Sequence, residues 1–277
     1  MPRIFRASVY SNSKSEWPLG LYSEVYDDET FELVPIQDKD QEDGVEPRTY
    51  DQVPSWHDPK QSLAKYLRMP RNLTQMSCHD DPDLHTHMAY GEAYTARGSA
   101  LFDMDKGDYL LFIAHLCYAD SPGNPIPKHP RSGWYLVGCL KVTYIEEAGG
   151  GKSYSKKVSH HAHYRLDRHH DFSQWDGVVN TILCGDSSRK DQRFSRAVPI
   201  LTAEQCRRLV RDKNRKVVDP EQPTRNGNML TVKSCVGSYT RTGQCIGDTE
   251  DKADDKYLST LRKEILERNP GLQDLLW

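Results

Sequence analysis

Histidines two residues apart occur in two strings of this sequence, Asp83–His87 and Ser159–His163. In an extended strand, residues i and i+2 point to the same side. His161 and His163 could therefore chelate one metal ion or act together as acid and base. The basic surroundings favour a different interpretation, in which His163 and Arg165 contact a phosphate or a base.

Carboxylate residues occur near the paired histidines in the sequence. If the chain is an enzyme, His163 and His87 together with Glu92 and Asp186 are the candidates for acid–base or metal chemistry. The chain carries no Walker loop and no dinucleotide-binding, serine-hydrolase or zincin motif, so those enzyme classes lose their usual support. We assign no cofactor and no metal from the sequence, and we leave open whether the chain is an enzyme.

A polar string with four cations runs from Gly185 to Arg196. Backbone N–H groups, two hydroxyls and arginine forks can together hold a phosphate or a carboxylate. An ordinary solvated loop is the alternative. The residues that we assign to anion contacts here are Ser187, Ser188, Arg189, Arg193 and Arg196.

Aromatic residues beside arginines predict places where a base could stack. Stacking with help from a cation is how proteins hold an extruded base, although the same strings also suit a strand edge. We expect Tyr90, His163, Arg193 and Tyr239 to converge on one pocket. The remaining candidates for base or nucleic-acid contact are Arg97, Trp134, His161, Arg165, Ser238 and Arg241.

Charge is distributed unevenly along the 277 residues, whose formal net charge is −3. Residues 151–216 hold fifteen basic and seven acidic side chains, a net charge of +8, together with five of the eleven histidines. A basic surface of this kind attracts polyanions such as nucleic acid. A solvated face balanced by the acidic N-terminal third is the alternative.

The elements that must position these residues are mostly strands. Apolar or β-branched runs predict strands, and amphipathic spacing predicts helices. We predict strands over Arg3–Tyr10, Tyr109–Leu116, Trp134–Ile145, Val178–Cys184 and Ala197–Ile200, an extended segment over Thr231–Arg241, and helices over Gln61–Arg68, Ala203–Lys213 and Ala253–Arg268. The two long apolar runs Tyr109–Leu116 and Trp134–Ile145 are joined by a loop, and we expect them to form the central hairpin of a sheet, buried on both faces.

Strands in the middle with helices at the periphery indicate an α+β fold with a mixed or antiparallel sheet, for which closure into a barrel is an option. We expect one domain over residues 1–246 and a C-terminal amphipathic helix over 247–277 packed on it. The chain has no apolar run near the roughly 18 residues of a membrane helix, and its seven cysteines form no CxxC pair. We therefore expect a cytoplasmic protein without a membrane partner.

Taken in order, several strings resemble the nucleotide modification associated domain 3 family over roughly residues 3–246. The resemblance implies a link to systems that make or sense modified bases in DNA, and it supplies no catalytic residues. The Gly-Asp strand followed by a Trp-Tyr strand is also similar to PUA-like barrels, a class with many modified-base readers. The strings that carry the resemblance are Phe31–Ile36, Asp81–Asp83, Tyr90–Glu92, Lys106–Phe112, Gly133–Gly138, His161–His163, Gly185–Pro199 and Val236–Arg241.

Three functions remain open from the sequence. The leading hypothesis is a module that binds nucleic acid, DNA with modified bases in first place, through an aromatic and arginine pocket and a basic surface. The second is an enzyme that modifies or hydrolyses a base or nucleotide. The third is a non-catalytic scaffold subunit. The sequence does not determine the oligomeric state or distinguish DNA, RNA and free nucleotide.

Overall fold

The computed structural model describes most of the chain, and for residues 238, 239 and 253 it describes the backbone only. The described residues are 2–9, 21–37, 48–79, 81–84, 87–94, 99–161, 163–164, 171–186, 188, 193–210, 217–222, 229, 231–239 and 243–277.

A mixed sheet forms the largest layer. Its main path runs in the order β12 (Arg193–Pro199), β9 (Gly133–Lys141), β7 (Tyr109–Ala119), β1 (Arg3–Ser8) and β13 (Gln244–Asp248). β1 and β7 are parallel, whereas the other neighbours on this path are antiparallel. Three short strands extend the sheet at β7, namely β2 (Glu24–Val25), β3 (Phe31–Glu32) and β8 (Pro125–Ile126).

The two central strands β7 and β9 confirm the predicted apolar hairpin. All residues of β7 except His115 and Tyr118 are buried, because helices and loops cover both faces of the sheet. Gly138 on β9 is required by a close approach: a Cβ atom there would lie 2.9 Å from Leu84 Cδ1. This contact brings the loop around Leu84 onto the main sheet.

A second, antiparallel sheet begins where the sequence predicted one continuous strand over Trp134–Ile145. That prediction is wrong, because the chain changes sheet between Val142 and Thr143. Val142 N–H donates to Asp108 O in the turn before β7, whereas Thr143 N–H donates to Cys184 O. The second sheet has the order β10 (Tyr144–Gly149), β11 (Val178–Cys184) and β6 (Ala89–Ala93). β11 has the predicted bounds.

Small elements complete the N-terminal part of the fold. β4 (Ile36–Gln37) and β5 (Cys78–His79) form a two-stranded sheet, and α1 (Leu63–Tyr66) and α2 (Arg71–Thr74) are single helical turns. The predicted helix over Gln61–Arg68 is therefore present but shorter. Four 3-10 helices cover Ser99–Asp103, Lys156–Val158, Phe172–Gln174 and Pro270–Leu272.

Two peripheral helices follow the predictions. α3 (Ala203–Leu209) begins at a capping box of Thr202 and Gln205, and it ends early because Val210 is extended. α5 (Lys252–Arg268) buries one apolar stripe and packs on β12 and β13. Asn269 ends α5, and its side chain bonds the backbone of Ser195 and Arg196 in β12.

α4 (Val232–Tyr239) contradicts the predicted extended segment over Thr231–Arg241, of which residues 240 and 241 lie outside the described part. Thr231 Oγ1 accepts a hydrogen bond from Ser234 N–H at 3.1 Å, as in a helix cap. Cys235 and Val236 are fully buried in the core. Capping and packing therefore override the local preference for a strand.

The α+β class is confirmed, whereas closure into a PUA-like barrel is not: the described strands form three separate sheets. The division into domains at residue 246 stays a prediction. Within the described part of the chain, no helix has the length and apolar character needed to cross a bilayer.

Glu24 in β2 is a buried carboxylate that bears on stability. Its Oε2 accepts hydrogen bonds from Tyr26 OH at 2.9 Å and from Gly123 N–H at 3.1 Å. Burial nevertheless raises the pKa of Glu24 from 4.5 to about 7. The folded protein therefore favours the uncharged form, so this group stabilises the fold fully below pH 4.5, and that contribution is lost as pH rises to about 7.

We expect Glu24→Gln to weaken the pH dependence of stability. The glutamine oxygen can accept both hydrogen bonds of Oε2 without ionising. Relative to wild type, the variant should gain more than about 1 kcal/mol between pH 4.5 and pH 8, since one pKa unit corresponds to about 1.4 kcal/mol. Urea unfolding followed by tryptophan fluorescence at both pH values measures this, with Glu250→Gln at an exposed site as the control. Equal pH slopes for Glu24→Gln and wild type would contradict the assignment.

Candidate functional site

The Asp81 carboxylate lies at the centre of a group of imidazoles. Its Oδ2 is 3.4 Å from His163 Nε2 and 3.7 Å from His79 Nε2, and its Oδ1 is 3.3 Å from His161 Nε2. Gly91 N–H donates to both carboxylate oxygens at 3.2 Å. We call His79, Asp81, His161 and His163 the histidine–aspartate cluster.

Two separate segments of the chain build this cluster. β5 ends at His79, and Asp81 follows two residues later. His161 and His163 follow the 3-10 helix Lys156–Val158, so the predicted strand geometry for this pair is wrong. The two rings nevertheless converge because both face the same carboxylate, with ring centroids 5.6 Å apart.

The second sheet forms the floor of the cluster. Gly91 in β6 pairs with Ile182 in β11, and Asn180 pairs with Ala93. Residues at alternate positions share a face, so Gly91 and Asn180 lie on the face that the histidines cover. A Cβ atom on Gly91 would lie 2.6 Å from His163 Cγ and 2.7 Å from His161 Cε1. Only glycine leaves room for both rings.

Hydrogen bonds determine which nitrogen of each ring faces Asp81. His163 Nδ1 donates to Asn180 Oδ1 at 2.8 Å, so its Nε2 faces the carboxylate. His161 Nδ1 accepts from His163 N–H at 3.2 Å, so the neutral ring carries its proton on Nε2. His161 Nε2 is buried and has no hydrogen bond of ordinary geometry to any described residue.

Burial and charge act against each other in the cluster. Burial opposes ionisation of Asp81, but the neighbouring imidazoles prevail and hold its pKa well below the usual range. Burial lowers the pKa of His161. For His163 burial acts in the same direction, but the bond to Asp81 and the charge of that carboxylate outweigh it and raise the pKa. The cluster thus combines a buried anion with two imidazoles whose pKa values are shifted in opposite directions.

Tyr90 and Glu92 occupy the opposite face of β6. Tyr90 is buried, its OH donates to Glu92 Oε2 at 2.8 Å, and its ring packs edge-on against Phe112 at 5.4 Å. Burial raises the pKa of Glu92. Both predicted residues therefore flank the cluster, but Tyr90 belongs to the hydrophobic core and offers no free ring face for stacking.

A second histidine–carboxylate pair lies beside the cluster. His87 Nδ1 is 2.7 Å from Asp83 Oδ2, and the ring of His87 stacks on that of His160 with centroids 3.5 Å apart. Burial lowers the pKa of His160 to about 4. The predicted residue His87 is thus near the cluster, with a carboxylate partner of its own.

Two of the residues predicted to stack on a base or to contact an anion, Arg193 and Trp134, lie away from the histidine–aspartate cluster. Arg193 is in β12, not in a loop, and its guanidinium lies over the Trp56 ring at 5.8 Å and donates to Trp56 O. Trp134 packs edge-on against His115 and close to Gly237. The expected convergence of Tyr90, His163 and Arg193 on one pocket is therefore not what the contacts describe.

The polar string after β11 has local partners. Ser188 donates from both its N–H and its hydroxyl to Asp186 Oδ1, at 3.0 and 2.6 Å. Arg196 is an exposed residue of β12. The following predicted residues lie outside the described part of the chain, or have only a described backbone: Arg97, Arg165, Ser187, Arg189, Ser238, Tyr239 and Arg241.

Sequence reasoning missed four residues of the site. His79 and Asp81 are two residues apart, a spacing that brings an imidazole and a carboxylate together, and this signal was present in the sequence. Gly91 and Asn180 carry no such signal, because their roles depend on pairing between β6 and β11. His79, Asp81 and His163 each offer one ligand atom within 4.8 Å of the others, so these three residues could hold a metal ion.

We expect Gly91→Ala to displace His161 and His163, because the new methyl group would overlap both rings. Overpacking of this kind costs about 1–3 kcal/mol. Chemical denaturation measures the loss, and the side-chain NMR signals of the two histidines report the displacement. Gly271→Ala is the matched control, since a Cβ atom there meets nothing within 4 Å. Equal stability of Gly91→Ala and Gly271→Ala, with unchanged histidine signals in both, would contradict the role of Gly91 in the floor of the cluster.

Comparison with family models gives a match over most of the chain. The family model of nucleotide modification associated domain 3 matches residues 12–235, a span that contains the whole cluster together with Gly91 and Asn180. Comparison with curated proteins and with solved structures gives no match. Because the family model covers well over half of the chain, the resemblance is confirmed: this chain belongs to the nucleotide modification associated domain 3 family.

Proposed function

We propose that the chain is an enzyme that acts on a nucleobase or nucleotide, with its reaction centre at the histidine–aspartate cluster. The observation that carries the proposal is the buried Asp81 carboxylate surrounded by three imidazoles. A buried charge with titratable partners in one place is expensive to maintain and is typical of functional sites. Family membership supports the nucleotide part of the proposal.

A substrate would approach the cluster at His79, the partly exposed member. The side chain of His79 is 23% exposed, whereas those of Asp81 and His163 are 2% and 8% exposed. The reacting group would therefore meet His79 first, with Asp81 and His163 behind it. Imidazoles at this position can donate or accept a proton, and the carboxylate orients them.

Basic residues next to the cluster would attract the phosphates of the substrate. The segment with a net charge of +8 begins just before the cluster and contributes His161 and His163 to it. Lys156 and Lys157 are exposed and lie in the 3-10 helix that leads to these histidines. A positive surface beside a reaction centre raises the local concentration of an anionic substrate.

We expect wild-type protein to convert at least one member of a panel of nucleotides and of DNA duplexes with modified bases. Asp81→Asn keeps the shape of the side chain but removes its charge, and should lower the rate by at least about 100-fold. Liquid chromatography with mass spectrometry detects the products. His129→Ala, at a histidine that stacks on Tyr118, is the control and should keep the wild-type rate. No product from wild type, or equal rates for Asp81→Asn and wild type, would contradict an enzymatic role.

Recognition of a modified base in DNA without catalysis is the second candidate function. The exposed lysines beside the cluster favour it, since they would contact the backbone of a nucleic acid whether or not a reaction follows. In this case the chain would bind DNA with modified bases more tightly than unmodified DNA, and no product would form.

We expect the double variant Lys156→Ala, Lys157→Ala to bind DNA less tightly at low salt. Loss of two phosphate contacts should reduce the slope of log affinity against log salt by about 2, because each contact releases about one counterion. Fluorescence anisotropy over a range of salt concentrations measures both effects. Lys263→Ala, an exposed lysine of α5, is the control. Unchanged affinity would contradict a role for this surface, and no binding by wild type would favour a scaffold.

A further inference from the structure

We propose that His79, Asp81 and His163 bind one divalent transition-metal ion through Nε2, Oδ2 and Nε2. This inference concerns the cluster on which the proposed function depends, but metal binding itself does not require that the substrate be a nucleotide. The three ligand atoms lie within 4.8 Å of one another, at a site where the sequence analysis assigned no metal.

Distances within the cluster favour a shared ion over direct hydrogen bonds. Charge-assisted hydrogen bonds between an imidazolium and a carboxylate are about 2.7–2.9 Å long. Asp81 Oδ2 lies 3.4 Å from His163 Nε2 and 3.7 Å from His79 Nε2, so both contacts are longer than that. Two ligands at about 2.1 Å from a tetrahedral ion are separated by about 3.4 Å. The two separations from Asp81 Oδ2 therefore leave room for an ion between the three ligand atoms.

The surroundings of the three ligands match those of known metal sites. A metal-bound histidine usually donates its other ring N–H to an oxygen acceptor, which orients the ring. His163 Nδ1 makes this bond to Asn180 Oδ1 at 2.8 Å, and both atoms are buried. The carboxylate is held from the other side by Gly91 N–H. These contacts hold His163 Nε2 at 3.4 Å from Asp81 Oδ2.

The position of His161 gives an independent indication that Asp81 Oδ2 binds a metal ion. Its ring is fully buried, and its Nε2 has no hydrogen bond of ordinary geometry to a described residue although Asp81 Oδ1 is 3.3 Å away. A buried polar atom without a good partner costs free energy. We infer that metal binding at Oδ2 determines the orientation of the Asp81 carboxylate. His161 then supports the carboxylate on the Oδ1 side.

The donor set indicates which kind of ion would bind. Two imidazoles and one carboxylate suit iron(II) and zinc, whereas magnesium and calcium prefer oxygen ligands throughout. Three protein ligands leave at least one position open, as in catalytic rather than structural sites. That open position would face the exposed edge at His79.

The test is a titration of untagged, metal-free protein with zinc, with iron(II) under anaerobic conditions, and with magnesium. We expect one zinc or iron(II) ion per chain by calorimetry and elemental analysis, and no competition from a 100-fold excess of magnesium. Cobalt(II) should give visible absorption bands that report the nitrogen and oxygen ligands. Wild type that binds none of the transition metals would overturn the proposal.

Variants locate the ion. His79→Ala and His163→Ala should each weaken binding by at least about 100-fold, more than the 10–100-fold typical of changes in the surrounding shell. His129→Ala is the matched control, because the His129 ring stacks on Tyr118 outside the cluster and its loss should leave binding unchanged. Circular dichroism checks that each variant folds. Loss of binding in His129→Ala with retention in His79→Ala would overturn the assignment.

Asn180 is a positioning residue, and variants at this position test the site without removal of a metal ligand. Asn180→Leu removes the acceptor for His163 Nδ1–H and should weaken metal binding about 10–100-fold. Asn180→Asp restores an acceptor and should rescue binding and the cobalt(II) spectrum. Equal binding by Asn180→Leu and wild type would contradict the proposed orientation of His163.

The outcomes for metal and for function are separable. Turnover of a nucleotide by metal-free protein in the presence of a chelator would overturn a catalytic role of the metal and leave the proposed function standing. A metal bound at His79, Asp81 and His163 in a protein that converts no nucleotide would support the inference and contradict the proposed function.

Discussion

Burial of the Asp81 carboxylate is the constraint on which this part of the molecule depends. An ion removed from water costs several kcal/mol unless polar groups replace its hydration. Gly91 N–H and three imidazoles take that role here. To supply them, segments around residues 79, 91 and 161 must meet at one point, and the absence of a side chain at Gly91 lets the rings approach the strand.

The main sheet supplies the rigid support for this meeting. β7 is buried on both faces, and Tyr90 on the second sheet packs edge-on against Phe112 of β7. Gly138 in β9 admits Leu84, three residues after Asp81, so the loop that carries the carboxylate rests on the same strands. The change of sheet after Val142 then brings β11 and Asn180 under the histidines.

The chemistry of the site and the charge of the chain point in the same direction. Imidazoles and a carboxylate in one buried group suit proton transfer or metal binding, and the basic segment that provides two of the imidazoles also attracts phosphate. Family membership links the chain to nucleotide modification. Of the two described arginines that a base-reading pocket would use, Arg193 lies over the Trp56 ring and donates to Trp56 O, and Arg196 is exposed on β12.

The sequence by itself determined the α+β class, the central apolar hairpin, β11, the capped helix after Thr202 and the family. These follow from local periodicity, capping residues and motif order, all of which act over a few neighbouring residues. Only the tertiary structure decided that α4 is a helix, that the strand after Trp134 divides between two sheets, and that His79, Asp81 and Asn180 join His163. Those outcomes depend on contacts between residues far apart in the chain, where packing and the need to compensate a buried charge outweigh local preference.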